Sequence, residues 1–80
     1  MLLYFENNKG IRTLISNPPN VECMWKDINL FLEKRNFKPY YTRINFGKKE
    51  LVIDVGSHTE FFIIKHFDEE DLEVLKGYKG

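Results

Sequence analysis

The segment between residues 40 and 67, YYTRINFGKKELVIDVGSHTEFFIIKHF, constrains the fold of this chain more than any other. Apolar side chains recur at every second position over residues 40–46 and again over residues 51–55, which is the pattern of half-buried strands. A continuous apolar run, Phe61-Phe62-Ile63-Ile64, follows and indicates a strand that is central or covered on both faces. Turns at Gly47-Lys48-Lys49 and Gly56-Ser57-His58 separate the three runs. The segment therefore predicts an antiparallel meander.

Two shorter β-prone runs come before it, at residues 2–6 and 11–16. They are joined by Asn7-Asn8-Lys9-Gly10, and asparagine and glycine accept a positive φ at little cost. This arrangement predicts a first hairpin. Its register stays open, because apolar side chains fall on both sides of the second run.

The middle of the chain predicts one main helix. Pro18-Pro19 ends the second strand, and Asn20 is a suitable N-cap. Lys34 and Arg35 suit a helix C-terminus, and Pro39 prevents continuation, so we expect the helix to end near Arg35. Apolar side chains recur at helical spacing along one side, and we expect them to pack on one face of the sheet: Val21, Met24, Trp25, Ile28, Phe31 and Leu32.

A short second helix is predicted near the C-terminus. Asp68 is its expected N-cap, Asp71 takes the place of the usual Glu or Gln of a capping box, and Gly77 closes it. We expect residues 78–80 to fray. The chain as a whole, residues 1–80, is thus predicted to be a single α+β domain of order ββαβββα. Its antiparallel sheet of about five strands carries the main helix on one face.

Composition limits the partners and the compartment. Twelve basic residues balance twelve acidic ones, so nucleic-acid binding is unlikely, and the absence of net repulsion favours a homodimer. Cys23 is the only cysteine, which excludes an intrachain disulfide and suits a reducing cytosol. The N-terminal MLLYFENN does not have the pattern of a signal peptide, and no segment is apolar enough to span a membrane. We expect a cytoplasmic protein.

Catalytic and metal chemistry are not expected. His58, Glu60, His66 and Asp68 are the only local cluster of titratable groups that suggests a metal, yet a zinc site needs about three or four donors and the chain has two histidines. Ser57 and His58 are neighbours in sequence and would point to opposite faces of a strand. No glycine-rich phosphate motif occurs. We therefore predict no cofactor, no metal and no enzymatic activity.

Two functional hypotheses from different classes remain. The preferred one is a protein-interaction module that binds itself or a larger protein through spare apolar, aromatic and acidic surface. The acidic segment is either a capped helix start or a docking surface for a basic partner. The candidate residues are Tyr40, Tyr41, Phe62, Ile64, Asp68, Glu69 and Glu70. The alternative is a weak nucleic-acid-binding module that uses Arg43, Lys48 and Lys49.

One stretch carries a resemblance to a known group of proteins. The residues Val52-Ile53-Asp54-Val55, followed by Gly56-Ser57-His58-Thr59-Glu60-Phe61-Phe62, resemble the small proteins encoded by phages and prophages of low-GC Gram-positive bacteria. The resemblance implies a non-enzymatic accessory protein in the host cytoplasm that binds or inhibits a host or defence protein. It implies no role for an individual residue.

Overall fold

A computed structural model describes residues 1–77 of the chain. The strands are β1 (Leu2–Glu6), β2 (Arg12–Ser16), β3 (Arg43–Phe46), β4 (Glu50–Asp54) and β5 (Phe61–Lys65), and the helices are α1 (Val21–Lys34) and α2 (Glu69–Lys76). Their order, ββαβββα, and the α+β class are as the sequence predicts. The expectation for residues 78–80 lies outside the described residues.

All five strands form one antiparallel sheet in the order β2-β1-β5-β4-β3. The predicted hairpin and meander are both present, and pairing between β1 and β5 joins them, from Leu2 opposite Lys65 to Glu6 opposite Phe61. The apolar run of β5 is therefore the central strand, as its composition indicates.

Helix α1 covers one face of this sheet. Four of its side chains are buried against it, Val21, Met24, Ile28 and Leu32, while Trp25 and Phe31 pack at the flanks and are partly buried. The predicted helical stripe is thus confirmed. Buried residues of the strands, of the segment just after β4 and of α2 complete the core: Leu3, Leu51, Ile53, Val55, Phe62, Ile64 and Leu75.

Local sequence fixes the ends of the helices. Asn20 Oδ1 accepts a hydrogen bond of 2.8 Å from the Cys23 amide, and Asn36 takes the left-handed conformation just beyond α1, with φ 54°. Asp68 and Asp71 form a reciprocal capping box at the start of α2. Within residues 1–77, neither helix combines the length and apolar character that a membrane span requires.

Two features of the strands differ from the sequence pattern. β3 begins at Arg43 rather than at Tyr40, because the Tyr40 amide bonds to the Val55 carbonyl, at 3.1 Å, as the chain crosses from α1 to the sheet. In β2, Leu14 lies opposite Tyr4 but Ser16 lies opposite Leu3, so a residue is inserted between them as a β-bulge. The bulge explains why the apolar residues of this strand do not alternate cleanly.

The packing of α1 predicts an asymmetric response to truncation. Ile28 is 1% exposed and Leu30 is 55% exposed on the same helix. We expect Ile28→Ala to lower the free energy of unfolding by about 2–5 kcal/mol, because it leaves a cavity under the helix. Leu30→Ala serves as the matched control and should change it by less than about 0.5 kcal/mol. Urea unfolding followed by circular dichroism measures both, and equal losses would contradict the position of α1.

Candidate interaction surface

An exposed aromatic group lies where the chain passes from α1 to β3. We call Phe37, Tyr40 and Tyr41 the aromatic corner. Tyr40 is 83% exposed and Tyr41 is 47% exposed, in agreement with the sequence-based expectation that this pair faces solvent. The rings of Phe37 and Tyr40 meet edge to face, with centroids 6.3 Å apart and an interplanar angle of 87°. Exposure of large rings in contact with one another is a property of binding surfaces.

The backbone of Tyr40 is held against the turn after β4. Its amide donates to the Val55 carbonyl, and Gly56 lies directly beneath it with φ 96°. A Cβ atom on Gly56 would stand 2.8 Å from the Cβ of Tyr40 and 3.3 Å from its amide nitrogen. This position requires glycine on two grounds, the left-handed backbone and the close approach of a second chain segment.

Tyr41 is held by side-chain contacts. Its hydroxyl donates to Asp54 Oδ2 at 3.2 Å, and Asp54 Oδ1 accepts the Gly56 amide at 2.9 Å. The guanidinium carbon of Arg43 lies 5.4 Å from the centre of the Tyr41 ring, which is cation–π distance. The aromatic corner is therefore solvent-facing and fixed in place at the same time.

A small cleft of about 110 Å³ opens beside the corner. Three polar groups stand at it: the Arg35 guanidinium lies 3.0 Å from Glu60, and Ser57 Oγ is 3.5 Å from the same carboxylate. Arg35 also lies 4.7 Å from the centre of the Phe5 ring. At about 30 Å³ for each water molecule, this volume suits one short apolar side chain or roughly four waters. The apolar lining is Phe5, Leu32, Phe37, Val55 and Phe62.

Phe62 and Ile64 are not exposed in this fold, which corrects their sequence-based assignment to a surface; Phe62 only lines the cleft. Both are 0% exposed and belong to the core beneath α1. The sequence shows an apolar run with two sides to cover, and the side of Phe62 and Ile64 is covered by the chain's own helix.

The other predicted residues do not form one surface. Asp68, Glu69 and Glu70 follow β5, while Tyr40 and Tyr41 precede β3, and these two strands run parallel with β4 between them. The acidic residues and the tyrosines therefore lie at opposite ends of the sheet. Asp68 caps α2, and Glu69 and Glu70 stand in its first turn, where negative charge stabilises a helix.

The basic residues of the nucleic-acid alternative are also divided. Arg43 begins β3 and stacks on Tyr41, whereas Lys48 and Lys49 form the turn beyond the far end of the same strand. The two lysines line a cleft together with Lys65 and His66 instead. The acidic start of α2 follows two residues after His66 and reduces the positive potential there.

The residues considered for a metal are separated by the length of β5. His58 and Glu60 precede this strand, and His66 and Asp68 follow it. Glu60 pairs with Arg35 instead. In the described part of the chain, His, Cys, Asp and Glu side chains nowhere gather in threes at a spacing that would hold a metal ion.

Ion pairs bridge the sheet face that α1 leaves open. The Arg12 guanidinium forms two hydrogen bonds with the Glu50 carboxylate, of 2.8 and 3.1 Å, and a third with Glu6 at 2.9 Å. Arg12 is in β2 and Glu50 in β4, and these two strands alone would be roughly 14 Å apart in a flat sheet. The contact requires a curled sheet and passes over β1 and β5. On the same face Ile63 is 1% exposed and Phe61 is partly buried, so most of the second side of the β5 run is also covered within the chain.

These hydrogen bonds change the ionisation of both partners. The bonds from Arg12 hold the pKa of the Glu50 carboxyl below its usual range, and Lys65 at 3.9 Å adds to the effect. The two carboxylates raise the pKa of Arg12, with Glu50 contributing most. Both side chains remain about one-third exposed, so solvent screening keeps the interaction modest.

Comparison of the chain with protein-family models matched none of them, and comparisons with curated proteins and with solved structures gave no significant match. The geometry above therefore carries the functional argument. Sequence reasoning missed Gly56 and Arg35 as parts of the candidate surface. A glycine after a strand indicates a turn, but the segment that packs against it is known only from the fold.

The Arg12–Glu50 contact predicts acid sensitivity. Because the folded-state pKa of Glu50 lies below its usual value near 4.5, the contact stabilises the fold above that pH, and the contribution is lost as the pH falls through the folded-state pKa. Between about pH 6 and about pH 3, we expect wild type to lose up to about 1 kcal/mol more unfolding free energy than Glu50→Gln. Glu33→Gln, at an exposed position of α1, should follow wild type. Urea unfolding across this range provides the measurement. If Glu50→Gln lost as much unfolding free energy as wild type, the contact would be contradicted.

Gly56→Ala should disturb the aromatic corner. We expect a loss of about 1–3 kcal/mol in unfolding free energy from the left-handed backbone, with a further loss from the contact with Tyr40. Gly10→Ala is the matched control, because Gly10 also has a positive φ but no neighbour within 4 Å of the added Cβ. Only Gly56→Ala should shift the NMR resonances of the Tyr40 and Tyr41 rings. Unshifted resonances would contradict the packing described for the corner.

Proposed function

We propose that this chain is a non-enzymatic protein-interaction module, a small phage-type accessory protein that binds or inhibits a host or defence protein in the host cytoplasm. The aromatic corner is its contact surface, and the adjacent cleft receives one short apolar side chain of the partner. The observation that carries the proposal is that Tyr40, although 83% exposed, is fixed by a backbone hydrogen bond, by the edge of Phe37 and by close contact with Gly56.

A fixed exposed aromatic ring is well suited to binding because little conformational entropy is lost when a partner covers it. Energetic hot spots in protein interfaces are enriched in tyrosine and arginine and lie next to pockets. Tyr40, Tyr41 and Arg35 stand around the cleft and the corner in this way. A single cysteine suits the reducing host cytoplasm to which the phage resemblance points.

Nucleic-acid binding through Arg43, Lys48 and Lys49 is less well supported. These residues stand at two ends of β3, so they offer no continuous track for a phosphate backbone. The net charge of zero also favours a protein partner over a polyanion. Protein binding is therefore the function we propose.

Affinity capture from the lysate of a low-GC Gram-positive host tests the proposal. We expect Tyr40→Ala to reduce recovery of the specific partner at least about tenfold, because it removes a central anchor. Tyr40→Phe should retain most of the recovery, since the ring remains. Quantitative mass spectrometry of the captured proteins provides the measurement.

Leu30→Ala is the control for unspecific apolar capture, because Leu30 is exposed on α1 among residues that do not line the cleft. It should recover the partner as wild type does. An identical captured set for wild type, Tyr40→Ala and Leu30→Ala would refute the assignment of the surface.

A further inference from the structure

The outer edge of β3 is a second place at which this fold can bind protein. β3 and β2 are the two edge strands of the sheet. Phe46, the last residue of β3, is 47% exposed, and its backbone belongs to a regular four-residue ladder with β4 that contains no bulge. β2 is interrupted by the bulge opposite Leu3 and Tyr4. Bulges blunt an edge against further pairing, so β3 is the more receptive of the two.

The hydrogen-bonding pattern shows which backbone groups of β3 face outward. The Gly47 amide donates to the Glu50 carbonyl at 3.1 Å, which makes these two residues a hydrogen-bonded pair. Such pairs alternate along an antiparallel ladder, so Asn45 and Arg43 also direct their backbone groups to β4. Ile44 and Phe46 therefore direct their amide and carbonyl groups away from the sheet.

We propose that this edge binds a second copy of the chain, with the two β3 strands antiparallel around a two-fold axis at Asn45. In this register Phe46 of each copy lies opposite Ile44 of the other, and the outward groups of these two residues satisfy each other. Asn45 lies opposite Asn45 of the other copy, on the face of the sheet opposite to that of Ile44 and Phe46. The pairing joins two five-stranded sheets into one and covers the exposed Phe46 ring with an apolar neighbour.

A second copy as the occupant meets no charge repulsion and forms a closed assembly. Arg43 falls opposite Gly47 of the other copy, so no like charges meet across the ladder. The chain has no net charge, so two copies do not repel each other at long range. Pairing of β3 with β3 closes into a dimer, whereas pairing of β3 with the bulged β2 would form open chains.

The interface is small, and this sets the expected affinity. An edge of four residues buries well below the ~1,200 Å² of a typical stable interface. We therefore expect a dissociation constant above about 10 µM, measurable by sedimentation equilibrium up to about 1 mM protein. Phe46→Lys should weaken association at least about tenfold, since lysine on an edge strand opposes pairing. Leu14→Lys, the same change at an exposed position of β2, should leave it unchanged.

Cysteine cross-linking tests the register separately from the affinity. In a Cys23→Ser background, Asn45→Cys should form a disulfide-linked dimer under mild oxidation, because residue 45 lies opposite itself. Ile44→Cys should form it at least about tenfold more slowly, because residue 44 lies opposite residue 46. Faster linkage through Ile44→Cys would overturn the register.

Other outcomes separate this dimer from the proposed function. A monomer at about 1 mM, or equal association of wild type and Phe46→Lys, would overturn the β3 dimer. Neither result bears on partner capture by the aromatic corner, which Tyr40→Ala tests. Conversely, a dimer that is lost only in Phe46→Lys supports the β3 interface, even if Tyr40→Ala recovers the protein partner from the lysate as well as wild type does.

Discussion

The structure depends on the pairing between β1 and β5. Without it the chain would be a hairpin and a meander, neither of which could bury both faces of its apolar strands. Pairing from Leu2 to Glu6 with β5 makes one sheet wide enough for α1 to cover. It also places β5 in the centre, where α1 buries Phe62 and Ile64 on one side and Ile63 is buried on the other, the face that carries the Arg12–Glu50 bridge. The residues that pair are far apart in sequence, so the pairing closes long loops. The entropy lost in closing these loops is offset by the burial of apolar side chains.

The candidate surface follows from the same arrangement. After α1 ends, the chain crosses to the outer edge of the sheet, and on this crossing Phe37 packs against the core while Tyr40 and Tyr41 stay exposed. Gly56 packs against Tyr40, Asp54 at the end of β4 accepts a hydrogen bond from Tyr41, and Phe37 contacts the Tyr40 ring. The fold thus exposes rings and fixes them at one place. The cleft next to them is lined by Leu32 and Phe62 among its apolar residues and by the Arg35–Glu60 pair among its polar ones.

Charge has a different role on each part of the molecule. On the open sheet face, Arg12 and Lys65 offset the charges of Glu6 and Glu50 above an apolar layer, on a face that carries no helix. At α2 the acidic residues serve the helix start. At the start of β3, the Arg43 guanidinium stacks on the ring of Tyr41. Of the three basic residues that suggest a polyanion site in the sequence, Arg43 is therefore engaged within the fold, whereas Lys48 and Lys49 line a cleft at the other end of β3.

Sequence alone determined the class, the order of elements and the helix caps, because periodicity and capping are local: the stripe from Val21 to Leu32, the Asn20 cap and the Asp68–Asp71 box needed no knowledge of neighbours. It also identified Tyr40 and Tyr41 as exposed. The tertiary structure decided the strand order, and with it whether an apolar side chain faces solvent or a helix. An alternating pattern shows that a strand has two faces but not what covers each, so Phe62 and Ile64 were misassigned and Gly56 and the free edge at Phe46 were missed.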